Sequence, residues 1–284
     1  MRWLTHVLRW PRQVLQAARQ KITGQRTQAA LRRRAISNGL WHSTLQALPF
    51  VQQHLRPADA AATHDLDRLR TLCSLFLDHK EFSGAHGWQV TDEHAVMVAV
   101  QACLPLLHIA PPAQPLQALQ WYDGFVGIVL HAGEVRARRS EIDQAGVLHQ
   151  WQESLTGEAQ DGGPLMLAYS DVAAAGDLAA EAYNVVIHEF VHVIDMRRGA
   201  EHGQWQEVLQ SAFTQHCEHT AQWDRFGTLA TKEPLLDSYA TESIEEFFAV
   251  AAEAYFVRRD DFAAHHADLL ALFDGFFRVH YADR

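Results

Sequence analysis

Cysteine is scarce in this chain of 284 residues, which contains only Cys73, Cys103 and Cys217. Three scattered thiols cannot form the disulfide framework of a small secreted domain, and the odd number is typical of a reducing compartment. Cys73 and Cys103 fall on apolar faces of predicted helices, where we expect them to pack in the core.

Long hydrophobic runs are absent as well, because no segment reaches the roughly 18 uninterrupted apolar residues of a membrane span. The sequence has no glycine-rich phosphate loop and no Gly-x-Ser-x-Gly motif, so nothing in it indicates a P-loop nucleotide site or the nucleophile elbow of a serine hydrolase. The composition, 48% hydrophobic and 20% charged, is that of a globular protein. We therefore expect a soluble or, at most, a peripheral protein.

Acidic residues are missing from residues 1–57, which carry ten lysines and arginines. The whole chain has 24 basic and 34 acidic residues, so the remainder carries 14 basic residues against all 34 acidic ones, a net charge of −20. A surface of that charge repels nucleic acid, and no direct nucleic-acid binding is expected.

Residues 1–34 are predicted to form a basic amphipathic arm, followed by a single domain over 35–284. Apolar residues recur at helical spacing between the arginines of the arm: Trp3, Leu4, Val7, Leu8, Val14, Leu15, Ala18 and Ile22. The arm lacks the apolar core and cleavage site of a secretory signal. It suits an organelle transit peptide, contact with an anionic surface, or docking on the acidic body.

The spacing of apolar residues predicts mostly helices in the rest of the chain. They cover 40–55, 60–80, 178–198, 203–227, 241–258 and 260–278, and one more begins after a predicted N-cap, Thr91. Strands are predicted over 127–131 and 164–169, the second at a sheet edge because Pro164 begins it. Charges over 134–161 indicate exposed connecting structure. These elements predict a mainly α domain, of the α+β type, with a small β-sheet.

The most informative motif is His188-Glu189-Phe-Val-His192. On a helix the two histidines share a face, so their imidazoles can occupy two positions of a tetrahedral zinc site. Glu189 projects nearby, where it can deprotonate a water that zinc has made more acidic. The intervening and flanking positions are apolar, which predicts a buried helix. Three ionisable groups on such a helix are costly unless a metal compensates them.

A third ligand is required, and a histidine ten residues after His188 is excluded because that position is Arg198. A carboxylate from a later helix is the remaining option. The segment after Tyr239 offers Glu242, Glu245, Glu246 and Glu253. Helical spacing alone does not choose among them, although Glu246 and Glu253 share a face two turns apart.

These residues resemble the Mlc titration factor A family of bacterial zinc metallopeptidases. The resemblance rests on His188-Glu-Phe-Val-His192-Val-Ile-Asp195, on Tyr239 and on Glu246-Phe-Phe-Ala-Val, and extends in the expected order to 82–88, 101–107, 121–124 and 163–169. It covers roughly 36–278. The sequence departs from the pattern after Gly199, where a proline-containing stretch is missing, and at Ile244, where proline is usual.

The resemblance implies a mostly helical, zincin-like metallopeptidase fold in a cytoplasmic protein. It implies one zinc per chain, held by His188, His192 and Glu246, with Glu189 as general base and Tyr239 as the residue that stabilises the transition state. Tyr239 stands seven residues before Glu246, as the family pattern requires. The resemblance also implies binding of the glucose repressor Mlc. The expected partners are therefore a peptide or protein substrate and a transcriptional repressor of the Mlc type.

The sequence thus predicts a zinc metallopeptidase that hydrolyses peptide bonds by metal-activated water, with aminopeptidase activity as a candidate specificity. The alternative hypothesis is a non-catalytic zinc-containing protein that sequesters a transcription regulator. The metal residues alone do not separate the two, because a binding protein can keep a metal for stability.

Three further features have hypotheses of their own. Asp195 either fixes an imidazole tautomer or simply ends a helix before Gly199. The run His216-Cys217-Glu218-His219 is interpreted as a solvated helix face, since no partner cluster stands at a recognisable spacing. The strand 164–169 is expected beside the cleft, where it would pair with extended substrate backbone.

Overall fold

The structure is a computed structural model, and it describes residues 24–55, 60–133, 135–142, 148–155, 157–158, 163–199, 203–229 and 232–279. The helix predicted over the first 22 residues of the arm lies outside these ranges. A helix, α1, occupies 24–33. Within the described ranges, no helix combines the length and the hydrophobicity needed to cross a bilayer.

Helices form most of the described chain, which confirms the prediction of a mainly α fold with a small sheet. After α1 they are α2 (Asn38–Ala47), α3 (Ala60–His79), α4 (Asp92–Cys103), α5 (Pro115–Leu119), α6 (Tyr169–Ala174), α7 (Val185–Arg198), α8 (Gln204–Phe226), α9 (Ile244–Val257), α10 (Arg259–His265) and α11 (Ala267–Phe277). The strands are β1 (Glu81–Gly84), β2 (Gly127–His131), β3 (Val135–Ile142), β4 (Leu148–Leu155), β5 (Gly157–Glu158) and β6 (Leu165–Ala168).

Local signals decide where helices begin and end. Thr91 caps α4 as predicted: its hydroxyl accepts a hydrogen bond from His94 N–H at 3.4 Å, and its own N–H donates to His94 Nδ1 at 3.2 Å. The helix predicted over 40–55 is shorter, because Pro49 has no N–H to continue it and begins a 3₁₀ turn, Pro49–His54. The helix predicted over 260–278 is divided into α10 and α11 at His266, whose backbone is not helical.

The main sheet has the strand order β1-β2-β6-β5. β1, β2 and β6 are parallel, with Phe82 opposite Ile128 and Ile128 opposite Leu165, whereas the two-residue β5 runs antiparallel to β6. The edge position predicted for the second strand is therefore wrong, since β6 pairs on both sides. Pro164 stands just before the strand, where its missing N–H removes no ladder hydrogen bond.

Two parts of the β structure differ from the sequence-based expectation. Glu81–Gly84 is too short to show a periodic pattern, and only its pairing with β2, which includes a 3.0 Å bond from Glu81 N–H to the Val126 carbonyl, makes it a strand. Within 134–161, charges predict connecting structure, but β3 and β4 form an antiparallel hairpin in which Arg139 stands opposite Trp151.

The core surrounds α7 and α9, whose side chains are apolar on almost every side. Phe190 of α7 packs against the rings of Phe76, Tyr122 and Phe125, with centroids 4.7–5.8 Å away. Cys73 and Cys103 are fully buried in the same core, as predicted.

Helix α1 is packed on the domain. Ala30 is 3% exposed, and Leu31 packs against the core. The guanidinium of Arg33 donates to both carboxylate oxygens of Asp78 on α3, at 3.0 and 2.8 Å. Residues 24–33 therefore contact the domain, while the division of the chain at residue 34 stays a prediction.

Candidate metal centre

Helix α7 has well-defined ends that fix the two histidines. Its N-cap is Asn184, whose side-chain oxygen accepts a hydrogen bond from Ile187 N–H at 2.9 Å. It ends at Gly199, which has a φ of 70° that a glycine adopts without strain. Between these ends His188 and His192 lie one turn apart, with ring centroids separated by 4.7 Å.

Helix α9 brings a carboxylate to the same place. Ser243 caps it by accepting a hydrogen bond from Glu246 N–H at 3.2 Å, so Glu246 lies in the first turn. The first helical residue is Ile244, and the serine cap supplies the start signal in this sequence without a proline. Since α7 and α9 pack against each other, Glu246 projects toward the α7 histidines.

Three ligand atoms converge between the two helices. Glu246 Oε2 lies 3.1 Å from His188 Nε2 and 3.3 Å from His192 Nε2, and the two nitrogens are 3.1 Å apart. A tetrahedral zinc with bonds of 2.0–2.1 Å separates its ligand atoms by about 3.3 Å. The triangle therefore has the size of one face of a zinc site. Among the described residues, His188, His192 and Glu246 are the one His/Cys/Asp/Glu group with this convergence.

The protonation of His188 explains why a cation fits there. Its Nδ1 donates to Glu253 Oε1 at 2.7 Å, so in the neutral imidazole Nε2 keeps its lone pair and directs it into the triangle. Glu246 Oε2 is itself buried, with no hydrogen bond of normal geometry. Three acceptor atoms facing one another repel unless a positive charge lies between them, and two imidazoles with one carboxylate form a donor set that zinc prefers.

The electrostatics of the cluster agree with a site built for a cation. Burial lowers the pKa of His188, but the adjoining carboxylates of Glu246 and Glu253 raise it to about 10. Burial raises the pKa of Glu246, yet the two imidazoles lower it to about 2. The metal-free cluster consequently retains a proton between acceptors, and a divalent cation would replace that proton.

Glu189 follows His188 on α7 and is 6% exposed. Burial raises the pKa of Glu189 to about 7, although positive charge on His188 and His192 opposes the shift. A buried carboxylate with a pKa near neutrality can take up a proton and release it again at physiological pH.

Tyr239 lies beside His188. It belongs to a 3₁₀ turn, Ser238–Thr241, and its N–H donates to Asp237 Oδ1 at 2.7 Å. Its ring centroid is 6.1 Å from that of His188, and the side chain is 44% exposed. The phenol ring is therefore both close to one of the three ligands and accessible to solvent.

The remaining predicted residues occupy other positions. Of the four candidate glutamates, Glu246 joins the triangle, Glu253 lies behind His188, and Glu242 and Glu245 are exposed. Asp195 pairs with Arg198 at 2.6 Å. His216 is buried, with its ring 5.7 Å from that of Phe247. The prediction that His216-Cys217-Glu218-His219 forms a solvated helix face is therefore wrong at His216.

Sequence reasoning missed two buried polar residues near the cluster. Asn184 Nδ2 donates to Gln101 Oε1 at 2.9 Å, and both side chains are fully buried. The available signal was an asparagine immediately before a buried apolar helix, which indicates an N-cap. No pattern connects it with Gln101, 83 residues earlier on α4.

Two comparisons with known proteins point to the same family. A family model described as glucose-regulated metallo-peptidase M90 matches residues 22–278. A Mlc titration factor A from Klebsiella pneumoniae strain 342 is 26% identical over 84% of this chain and 85% of its own length. Proteins with the same name from Salmonella paratyphi B and Salmonella typhimurium are also 26% identical, over 74% of this chain and 78% of theirs.

Proposed function

The chain belongs to the glucose-regulated metallo-peptidase M90 family, and on that premise we propose that it is a zinc-dependent peptidase that hydrolyses peptide bonds. The observation that carries the proposal is the triangle of His188 Nε2, His192 Nε2 and Glu246 Oε2, with edges of 3.1–3.3 Å. Two histidines and one glutamate leave one tetrahedral position open, as in catalytic zinc sites.

Zinc, when bound, supplies a Lewis acid that polarises a peptide carbonyl and lowers the pKa of water toward 7. Glu189 accepts the proton of the attacking water on its carboxylate and passes it to the nitrogen of the leaving amine. The buried position of Glu189 supports this role, because it raises the pKa of the carboxyl to about 7.

Tyr239 is proposed to donate a hydrogen bond from its hydroxyl to the carbonyl oxygen as negative charge develops there. Its exposure and its position 6.1 Å from the His188 ring support this role, because they place an accessible phenol beside one of the proposed ligands. The hydrogen bond from its backbone to Asp237 holds the turn that presents it.

The proposed substrates are peptides or proteins, and we propose aminopeptidase activity as the specificity to test first. The strand expected to pair with substrate, β6, is bordered by β5. We therefore propose the outer side of β5, in place of β6, as the binding edge for an extended peptide. The proposed catalytic domain is 35–284 with a basic arm of 1–34, and the proposed location is the cytoplasm.

A second function is favoured by the name of the relatives, Mlc titration factor A. We propose that this chain also binds a transcriptional repressor of the Mlc type. Binding could occur without catalysis, in which case the zinc site would serve stability.

The decisive experiment combines metal analysis with hydrolysis of a peptide library, with and without chelator, using free and N-acetylated versions of each peptide. Zinc-dependent cleavage supports the enzyme, and loss of cleavage on acetylation supports an aminopeptidase. If zinc is bound and no peptide in a broad library is cleaved, the binding function is the better description.

A further inference from the structure

We infer that Glu253, Asn184 and Gln101 form a buried polar chain that holds His188 in the one orientation and tautomer that can bind the metal through Nε2. The inference rests on the proposed zinc function and adds positioning residues on α4 and α9 to it. None of the three side chains belongs to the ligand triangle.

The first member of the chain is the carboxylate of Glu253, which is 2% exposed. Oε1 accepts the Nδ1–H of His188 at 2.7 Å, and Oε2 accepts the backbone N–H of Asn184. One carboxylate therefore links the imidazole to the N-cap of the helix that carries it. Rotation of the ring, or movement of the proton to Nε2, would leave a buried carboxylate oxygen without its donor, which is costly.

The second member of the chain is Asn184, whose side-chain oxygen and nitrogen both form hydrogen bonds. Oδ1 caps α7 through Ile187 N–H at 2.9 Å, and Nδ2 donates to Gln101 Oε1, also at 2.9 Å. The backbone just before it is strained, because Ala182 has a positive φ of 60°. The bonds to Glu253 and Gln101 therefore fix a turn that would otherwise relax.

The third member is Gln101, which connects the hydrogen-bonded chain to the interior of the domain. Its Nε2 donates to the carbonyls of Met97 at 3.0 Å and Val172 at 3.2 Å. The amide of Gln101 is thus oriented from α4 and α6, which leaves Oε1 as the acceptor for Asn184. Each member dictates the hydrogen-bonding role of the next, so the orientation of His188 is specified from within the core.

The negative charge of Glu253 and both of its carboxylate oxygens are needed for this role. Replacement by glutamine removes the charge, and its single acceptor oxygen cannot serve both His188 Nδ1–H and Asn184 N–H. Replacement of Gln101 by leucine changes neither the ligands nor Glu253, but it removes the acceptor of Asn184 Nδ2 and the donor to the Met97 and Val172 carbonyls. The inference therefore predicts graded effects on metal affinity, larger for Glu253 than for Gln101.

The experiment measures zinc affinity of the full chain by competition with a chromophoric chelator. We expect Glu253→Gln to weaken zinc binding about 10- to 100-fold, the usual effect of removing a partner of a metal-bound histidine. Gln101→Leu should weaken it by a smaller factor that is still above twofold. Glu245→Gln, an exposed change on the first turn of the same helix, should have no effect.

A second readout separates positioning from general damage. In the zinc-loaded wild type, NMR should show a His188 Nδ1–H that exchanges slowly with water, because it is hydrogen-bonded to Glu253, and this proton should exchange faster in Glu253→Gln. Unchanged zinc affinity and unchanged exchange of the His188 Nδ1–H in Glu253→Gln would overturn the inference. If Glu253→Gln does not fold, a Gln101→Leu variant that binds zinc as tightly as the wild type would overturn the inference. A wild type that binds zinc but cleaves no peptide would contradict the proposed function alone.

Discussion

The Nε2 atoms of His188 and His192 lie 3.1 Å apart, with Glu246 Oε2 at nearly the same distance from each. Two imidazolium groups could not approach so closely, and two neutral imidazoles would face each other with lone pairs. A shared proton relieves this repulsion in the metal-free cluster, a metal ion would relieve it in the loaded protein, and the following predictions test the metal.

Metal content is the first prediction. The purified chain should hold close to one zinc, and His188→Ala or His192→Ala should each remove most of it, because two ligands are too few for a structural or catalytic zinc site. Elemental analysis after exhaustive dialysis measures the stoichiometry. Retention of full zinc in both variants would contradict the site.

The second prediction tests the register of α9. Glu246→Ala should impair zinc binding strongly, whereas Glu245→Ala should not, because neighbouring helical side chains point about 100° apart. Glu245 is exposed and provides a matched control. Zinc titration of both variants decides the point, and a reversed order would mean that the third ligand is assigned to the wrong residue.

The third prediction separates proton transfer from metal binding. Glu189→Gln keeps the shape of the side chain but cannot accept a proton. Peptide hydrolysis should therefore fall by about 10²–10⁴-fold with zinc retained. Tyr239→Phe should lower kcat less, since one hydrogen-bond donor is lost. Steady-state kinetics with parallel zinc analysis gives both values. A Glu189→Gln variant as active as wild type would refute the assigned mechanism.

The fourth prediction concerns stability in acid. His54 is buried, and its Nε2 donates to the Tyr255 carbonyl at 2.9 Å. Burial lowers the pKa of His54 to about 3, whereas in the unfolded chain it is about 6.5. Between these values the unfolded state binds more protons, so this contribution to stability is present above pH 6.5 and is lost as pH falls.

The effect can be isolated by substitution. From pH 6.5 to pH 5 the loss from this one histidine is at most about 2 kcal/mol. His54→Gln should show a smaller loss over that interval, and the exposed His42→Gln should behave as wild type. Urea unfolding in the presence of chelator measures the free energies. Equal pH dependence in all three proteins would be evidence against a neutral buried His54.

The fifth prediction concerns the N-terminal arm. Deleting 1–21 should leave zinc content and thermal stability close to those of the full chain, because the family match begins at residue 22. Deleting 1–34 should lower the melting temperature, because it also removes the packing of Ala30 and Leu31 and the Arg33–Asp78 pair. Thermal unfolding compares the two truncations. Equal melting temperatures would show that α1 contributes nothing to the fold.

Sequence patterns predicted the parts of this protein that depend on local physics. Helical spacing placed His188 and His192 on one face of α7, and Thr91 was recognised as a cap because its hydroxyl serves the next turn of the same helix. The spacing could not choose Glu246 from the four glutamates. That choice depends on how α9 packs against α7, and only the family resemblance pointed to it.

The features that were missed depend on distant partners. β1 is a strand only through its pairing with β2, some 46 residues later, and Gln101 acquires its role only when α4 meets the start of α7. His216 stands in a polar run that indicates solvent, yet it faces Phe247 of another helix. In each case tertiary packing decides the outcome, and at His216 it overrides a local signal.

The parallel arrangement of β1, β2 and β6 has a consequence for the order in which the molecule is assembled. Each parallel pair joins segments that are dozens of residues apart, and Glu246 comes 54 residues after His192. During synthesis the two histidines therefore emerge long before the carboxylates that complete and orient their site. Capture of the proposed metal would then follow the docking of α9, and we expect a chain interrupted before residue 246 to lack the metal even with its histidine motif intact.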